Sequence, residues 1–343
     1  MTTQQDCSIG IGLESTWGTP VTVSQFLEFT DEDFDAQVAT VQGKGMRVGA
    51  RVTRSARRVI SKVDPGGKLT IEAPIKGLGS LLNAALGSFT NTAVPAQAGA
   101  FQQVHTPTST DPLPSYTIQK GVPPVGGGAT LAHTFAGMVC NSLEISGKDG
   151  DYVTVATEWL GKDFSTATAY AAPSYPAGLD VPFHFVHAAL VLGGTVVVPT
   201  TTAPATGGTV VANIREFGVK WDNGLDKNGF NAGGAGRRTR KPVTGAAAIT
   251  GKLTAEFTDA VMRDAYLLQQ QLALLITLTH TATIGSSINP VLQILVPAIK
   301  LNGKMPSANG GDVVTISSDF DGLDPLAGGS PLYVVYRTSD TAP

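Results

Sequence analysis

Lys68-Leu69-Thr70-Ile71-Glu72 and Lys252-Leu253-Thr254-Ala255-Glu256 are almost the same five residues, and what surrounds them also matches in order. An arginine-rich, glycine-containing stretch precedes each, residues 47–62 in the first copy and 237–241 in the second. Helical spacing follows each copy. Then comes a β-like run, Tyr116-Thr117-Ile118-Gln119 in one and Leu275-Ile276-Thr277-Leu278 in the other. Both copies close alike, with Gly150-Asp151-Tyr152-Val153-Thr154-Val155 against Gly311-Asp312-Val313-Val314-Thr315-Ile316. The offset is 184 residues from Lys68 to Lys252 but 161 from Asp151 to Asp312, so the first copy carries 23 more residues between these points. Composition places them in the Pro/Thr/Ala-rich segment 89–114. A duplicated β unit points away from a single catalytic cleft and toward something that assembles.

The 343 residues suit two domains, and hydrophobic content of 42% lets each bury a core. Charged residues are sparse at 15%, while Gly, Ala, Thr and Val abound, which favours β-sheet with many turns. A net charge of −3 argues against a dedicated nucleic-acid binder. Cys7 and Cys140 cannot make a disulfide framework and read as free thiols made in a reducing cytoplasm. Residues 1–6 have neither the basic nor the apolar region of a signal peptide, and no apolar run is long enough to span a membrane.

The expected organisation is an arm over residues 1–23, a first domain over 24–164, a linker over 165–180 and a second domain over 181–343. Trp17-Gly18-Thr19-Pro20 is turn chemistry where the arm meets the first domain. Residues 26–35 alternate as one strand. Residues 42–62 carry Lys44, Arg47, Arg51, Arg54, Arg57, Arg58 and Lys62 with no acid, and form a long loop or protruding hairpin. Pro74 opens a short helix with Leu78, Leu81, Leu82, Ala85 and Leu86 on one stripe and Gly87 as its cap. The second helix starts near Thr258-Asp259 and presents Val261, Ala265 and Leu268, with Met262 and Tyr266 alongside. Gly147-Lys148-Asp149-Gly150 and Asn302-Gly303 mark turns. Each copy is thus several strands, one helix, then more strands: a mainly β fold, a β-sandwich with one flanking helix.

Enzyme signatures are absent. There is no G-x-x-x-x-G-K-[ST] phosphate loop and no G-x-S-x-G elbow. His184 and His187, three apart in a strand, would lie on opposite faces and not share a metal. Asp222 to Gly229 mimics a calcium loop but lacks the bidentate Glu at its end, and turn chemistry accounts for it. No cofactor is implied.

Charge is segregated near the N-terminus. Glu14, Glu28, Asp31, Glu32, Asp33 and Asp35 come without a base, and the basic stretch follows. Two readings fit: two solvated faces, or head-to-tail docking of the acidic face of one subunit on the basic loop of the next. Under the second, Asp31, Glu32 and Asp33 and the bases Arg47, Arg51, Arg54, Arg57 and Arg58 are inter-subunit contacts. Arg237, Arg238 and Arg240, at the matching place in the second copy, join them.

Glu14-Ser15-Thr16-Trp17-Gly18-Thr19-Pro20, Pro182-Phe183-His184-Phe185 and Phe217…Trp221-Asp222-Asn223-Gly224-Leu225 resemble the major tail tube proteins of long-tailed phages (siphophages). A basic loop followed by Gly-Lys-Leu-Thr and a short helix, in each copy, is also similar to that family. The resemblance implies a non-enzymatic virion protein made in the host cytoplasm. It implies a β-sandwich whose sheets join neighbours in a closed inner barrel, in rings stacked into a hollow tube that conducts double-stranded DNA without binding it specifically. Two tube domains per chain then imply a homotrimeric ring with pseudo-sixfold symmetry. Tape measure, tail terminator and tip proteins are the implied partners. The inner tube of a contractile injection device and a β-sandwich adhesin are the alternatives; an adhesin would carry aromatic loop tips, and these tips are Gly, Ala, Thr and Pro.

Overall fold

The computed structural model describes residues 3–109, 113–175, 181–211, 213–303, 305–306, 313–326 and 328–343. Gly311, Asp312 and the end of the expected linker (176–180) lie outside these residues. The strands are β1 (Ser8–Leu13), β2 (Gln25–Leu27), β3 (Asp31–Glu32), β4 (Val38–Gln42), β5 (Arg58–Val63) and β6 (Gly66–Glu72). After α1 (Gly79–Leu86) come β7 (Gly87–Ala93), β8 (Phe101–Pro107), β9 (Tyr116–Val122), β10 (Leu131–Lys148), β11 (Thr154–Leu160) and β12 (Asp163–Ser165). Then follow β13 (Ala188–Leu192), β14 (Val196–Val197), β15 (Thr206–Gly207), β16 (Val210–Val211), β17 (Ile214–Asp222) and β18 (Ala248–Glu256). The chain ends with α2 (Val261–Leu267), β19 (Leu272–Thr279), β20 (Val291–Gly303), β21 (Thr315–Gly322) and β22 (Tyr333–Thr338). The fold is mainly β and antiparallel throughout. Residues 26–35, expected as one strand, divide into β2 and β3.

Period-two burial builds one wide sheet. Leu69 and Ile71 of β6, Val155 and Trp159 of β11, and Phe217 and Val219 of β17 point inward, and their neighbours point out. The order is β3-β6-β11-β10-β17-β18-β21-β20. The two KLT strands hold equivalent places in it. Glu72 of β6 faces Thr154 of β11, and Glu256 of β18 faces Thr315 of β21, at the offsets seen in the sequence.

β10 and β20 are long enough to serve two layers. The first part of β10 leaves the wide sheet and pairs with β9 and β12, and β9 pairs with β1. A register shift between Cys140 and Ser142 marks the bend. The first part of β20 pairs with β19 and β22, and Pro297, which has no N–H to give a ladder, sits near the change of partner. One hydrophobic core fills the space between layers, from Leu69, Phe135 and Trp159 to Leu253, Ile294 and Phe320.

α1 is buried along all eight residues, and Gly87 ends it at φ +77, a left-handed cap that glycine adopts without strain. Pro74 lies before the helix and does not open it; Leu78 is the N-cap. α2 buries only Met262 and Ala265, and Val261, Leu267 and Leu268 are exposed, against the stripe expected there. The cause is the β7–β8 hairpin, built from the segment expected to hold the extra residues. It packs on α1 and adds to the second layer through β22, while α2 has no such cover. Asn302-Gly303 is not a turn: Gly303 faces Ser318 in the β20–β21 ladder.

Candidate assembly interface

Among the described residues the ladders never return on themselves. Among the described residues the wide sheet ends at β3, paired only to β6, and at residues 300–303 of β20, paired there only to β21. A chain with one open sheet edge at each end is a template for another strand. Two clefts, of about 240 and 730 Å³, flank the β3 edge and share Glu28, Phe29, Thr30 and Tyr175 as lining.

From that edge projects a two-stranded ribbon, β4–β5, which forms no ladder with another strand among the described residues. Its tip is apolar and basic together: Met46, Val48 and Val52 are almost fully exposed, Arg47, Arg51, Arg57 and Arg58 are exposed, and Arg54 is half-buried. Arg58 Nε donates to Thr40 Oγ1, and Gln42 donates to the Arg54 carbonyl. The Arg57 guanidinium packs against Gly45. Among the described residues none of the five arginines forms an ion pair. A lone hairpin is marginal in water; this one is held at its base, where the Val63 N–H donates to the Gly236 carbonyl and Lys62 lies over the Phe230 ring, and its tip carries contact chemistry beyond that.

The acidic block is partly used at home. Glu32 pairs with Lys120, and Asp33 accepts from the Lys68 N–H, while Asp31 is exposed. The second basic cluster turns inward. Arg238 is 1% exposed; its guanidinium donates to the Gly161 carbonyl (2.6 Å), the Lys227 carbonyl (3.0 Å) and Asp64 (2.6 Å), and lies over Phe230. Arg237 pairs with Asp163 and Arg240 with Asp226. The expectation that Arg238 reaches a neighbouring subunit fails because its charge is consumed inside the chain. The internal repeat grouped 237–241 with 47–62, and only the fold shows that this loop lies across β10 and β11 of its own chain. Asp222 and Asp226 cap the N–H groups of Gly224 and Asn228, the turn chemistry expected of that segment.

The outward face of the wide sheet carries eleven carboxylates among the described residues, Asp31, Asp33, Asp35, Glu72, Glu144, Glu158, Glu216, Asp222, Glu256, Asp319 and Asp321. Against them stand five lysines, 68, 148, 220, 252 and 300. Every lysine faces a carboxylate across a ladder: Lys68 Glu158, Lys148 Glu216, Lys220 Glu144, Lys252 Asp319 and Lys300 Asp321. Lys252 also reaches Glu216 at 3.1 Å, and that hydrogen bond is the first cause of the lowered Glu216 pKa. Such pairs contribute about 0.2–1 kcal/mol each. The lysines are answered locally, and the surplus on this face is negative.

A family model described as phage tail tube protein matches residues 4–322. The chain belongs to that family. No curated protein matches it. The tail tube family is structural and not enzymatic, and it places the chain in the virion tail as a homo-oligomer stacked into a tube. No helix among the described residues is long and apolar enough to cross a membrane. In this tail tube chain the Glu14–Pro20 segment is a clamp. The buried Glu14 carboxylate accepts from Gly18 N (2.8 Å), Ser115 Oγ (3.0 Å), Thr117 Oγ1 (2.9 Å) and Gly137 N (2.8 Å). Trp17 Nε1 donates to the Gly137 carbonyl, and Lys162 lies over the Trp17 ring.

The histidines depart from expectation. Residues 185–187 form a 3₁₀ turn and not a strand, so His184 and His187 meet with ring centroids 3.7 Å apart, and His280 lies 4.5 Å from His187. Among the described residues no His/Cys/Asp/Glu group is placed to hold a metal. Burial, then His184 and His280, push His187 down to about 4, and burial pushes His105 down to about 3. Both are lowered, so the unfolded chain takes up their protons first, near pH ~6.5. The neutral rings therefore stabilise the fold above that pH, and this stability is lost as pH falls toward 4 and 3. Thermal melts followed by circular dichroism should drop in temperature from pH 7 to 4, with a shallower slope for His187→Gln.

Proposed function

We propose that the chain is the major tube subunit of a long-tailed phage, and that it carries two tube modules, 24–164 and 181–343, behind an arm and joined by a linker. The observation that carries this is the wide sheet, in which the β10–β17 seam joins the halves side by side and an open edge is left at each end. Edges of that kind on one chain suit a head-to-tail ring, whose closure removes them. Equivalent registers at Glu72–Thr154 and Glu256–Thr315 support a repeated module, and so a ring of three chains with six modules. The surplus of carboxylates suits a lumen face past which DNA slides without binding. The basic ribbon, with Arg47, Arg51, Arg54, Arg57 and Arg58, contacts a neighbouring subunit. The segments at Glu14–Pro20 and Trp221–Leu225 carry the resemblance to long-tailed phages, and the inner tube of a contractile device is the alternative. Tape measure, terminator and tip proteins are then its partners, and the host cytoplasm its place of synthesis.

Negative-stain images of the concentrated protein should show rings or tubes, and averaged end views should show three identical units that look nearly sixfold. Six full-length chains per ring would refute the two-module reading, and a monomer under all salt and concentration conditions would refute assembly.

A further inference from the structure

We propose that His184, His187 and His280 form an acid-sensitive latch. While their rings are neutral they hold the segment that carries the chain into β13 against the approach to β11, and protonation releases that segment with the wide sheet still folded. The latch lies within one chain and does not depend on assembly.

The segment is docked through its backbone. The Phe183 N–H donates to the Ala73 carbonyl (2.8 Å), and the Phe183 carbonyl accepts from the Val153 N–H (2.9 Å). His184 forms a bridge with Tyr152, and the Phe185 N–H donates to the Asp151 carbonyl (3.1 Å). The Phe183 side chain is fully buried, with its ring edge-on to both His187 and His280. His280 arrives from the end of β19, and its own N–H donates to the Pro290 carbonyl (3.0 Å). Three imidazoles thus join three stretches distant in the chain: the approach to β11, the entry to β13 and the β19–β20 turn. Release of the entry to β13 leaves the two halves joined by the β10–β17 and β8–β22 ladders.

The hydrogen bonds fix where the protons are. His187 Nδ1 accepts from the His184 backbone N–H (3.3 Å), and His280 Nδ1 accepts from the Ala282 N–H (2.9 Å). A backbone N–H can only donate, so each Nδ1 presents a lone pair and each neutral ring keeps its proton on Nε2. A second proton goes to Nδ1, where a donor then faces a donor. The bond across the 185–187 turn and the bond in the turn after β19 are both lost in this way. His280 is 4% exposed and its Nε2 has no partner, so a charge gained there is not answered. A charged His187 would also lie against the rings of His184 and His280.

No counter-charge offsets this. Residues 281–290 contain no titratable group, and residues 182–188 contain none besides the two histidines. The charged groups on the elements packed around them are Asp149 and Asp151 before β11, Glu72 and Lys76 on either side of Ala73, Arg215 and Glu216 of β17, and Arg337 of β22. Among the described residues none forms an ion pair with a ring; Arg215 pairs with Glu256, Glu216 with Lys252, and Arg337 donates to Gln102. Burial, then the neighbouring imidazoles, hold His187 down at about 4 and lower His280 as well. The closed latch therefore binds protons more weakly than the released segment, and a fall in pH favours opening. Against an ordinary imidazole near ~6.5 in the released segment, His187 alone raises the opening equilibrium on the order of fiftyfold between pH 7 and pH 4.5.

Hydrogen exchange read by mass spectrometry at pH 7 and pH 4.5, corrected for the intrinsic pH dependence of exchange, locates the opening. Peptides covering 151–153, 183–188 and 280–284 should lose about tenfold or more of their protection at pH 4.5, while 69–71 of β6 and 155–159 of β11 keep theirs. A His187→Asn/His280→Asn chain, whose side-chain oxygens can accept at the Nδ1 positions and do not titrate, should keep the latch protected at both pH values. No loss in the wild-type chain, an equal loss in the asparagine chain, or a uniform loss across the wide sheet overturns the latch. If the asparagine chain does not fold at pH 7, a titration of the wild-type histidine ring protons by NMR decides. His187 and His280 are expected to titrate below the ordinary imidazole range and in step with the loss of protection. Rings that titrate near ~6.5 while the segment stays protected overturn the latch.

Discussion

The Arg54→Glu/Arg58→Glu chain should remain a folded monomer and fail to build tubes. The ribbon lies outside the core, and no arginine in it supports another element through an ion pair. Surface changes of this sort shift stability by about ±0.5 kcal/mol, so the circular dichroism melt should barely move. An exposed ion pair contributes only about 0–1 kcal/mol. The ribbon contact is repeated once per chain, however, and each reversal replaces an attraction with a like-charge repulsion at every copy. Tube yield should fall steeply for that reason, and wild-type assembly through this contact should weaken as salt cuts the screening length to roughly 3 Å at 1 M. Normal tubes with normal salt tolerance from the double variant would make the ribbon a solvated surface and nothing more.

What the sequence discloses here depends on whether the signal is local. Strand KLT-x-E and its two offsets are short-range patterns, and they fall at equivalent ladder positions in the fold. Gly87 as a helix cap is local too, because only the φ at that residue matters. The misreadings of burial are non-local. The α2 stripe misleads because burial there depends on whether a hairpin from another segment covers the helix, and one covers only α1. Arg238 reads as an exposed base beside Arg237 and Arg240, yet the carbonyls and Asp64 that enclose it come from 64, 161 and 227. His184 and His187 were assigned strand geometry, and a single 3₁₀ turn reverses which face each ring takes. Which residues line the outward face of the wide sheet was open by one position, since a one-residue slip exchanges the faces; the cross-ladder lysine–carboxylate pairs follow only from the register.

Glu14→Ala should cost about 3–5 kcal/mol of stability, the scale for removing one partner from a buried charged network. Its carboxylate gathers four donors from places distant in the chain: the arm itself at Gly18, β9 and its approach at Ser115 and Thr117, and the bend of β10 at Gly137. The two hydroxyls can turn to other acceptors. The two backbone N–H groups cannot, and Gly18 and Gly137 are fixed at φ +73 and +68, so relaxing them requires the arm to leave. A buried donor without a partner costs about 1–3 kcal/mol, which for two such groups reaches the lower bound before packing is considered. Glu14→Gln keeps the shape but turns one acceptor oxygen into a donor facing donors, and should lose about 1–3 kcal/mol. Urea unfolding with a common slope would measure both, and a Glu14→Ala loss under about 1 kcal/mol would show that water can replace the carboxylate. The consequence for assembly separates this variant from the arginine pair. β1 pairs with both β9 and β2, and β2 leads directly into the β3 edge. A loosened clamp therefore frees the edge strand on which the proposed ring closure depends, and tube yield should fall together with the melting temperature, whereas reversing Arg54 and Arg58 lowers the yield alone.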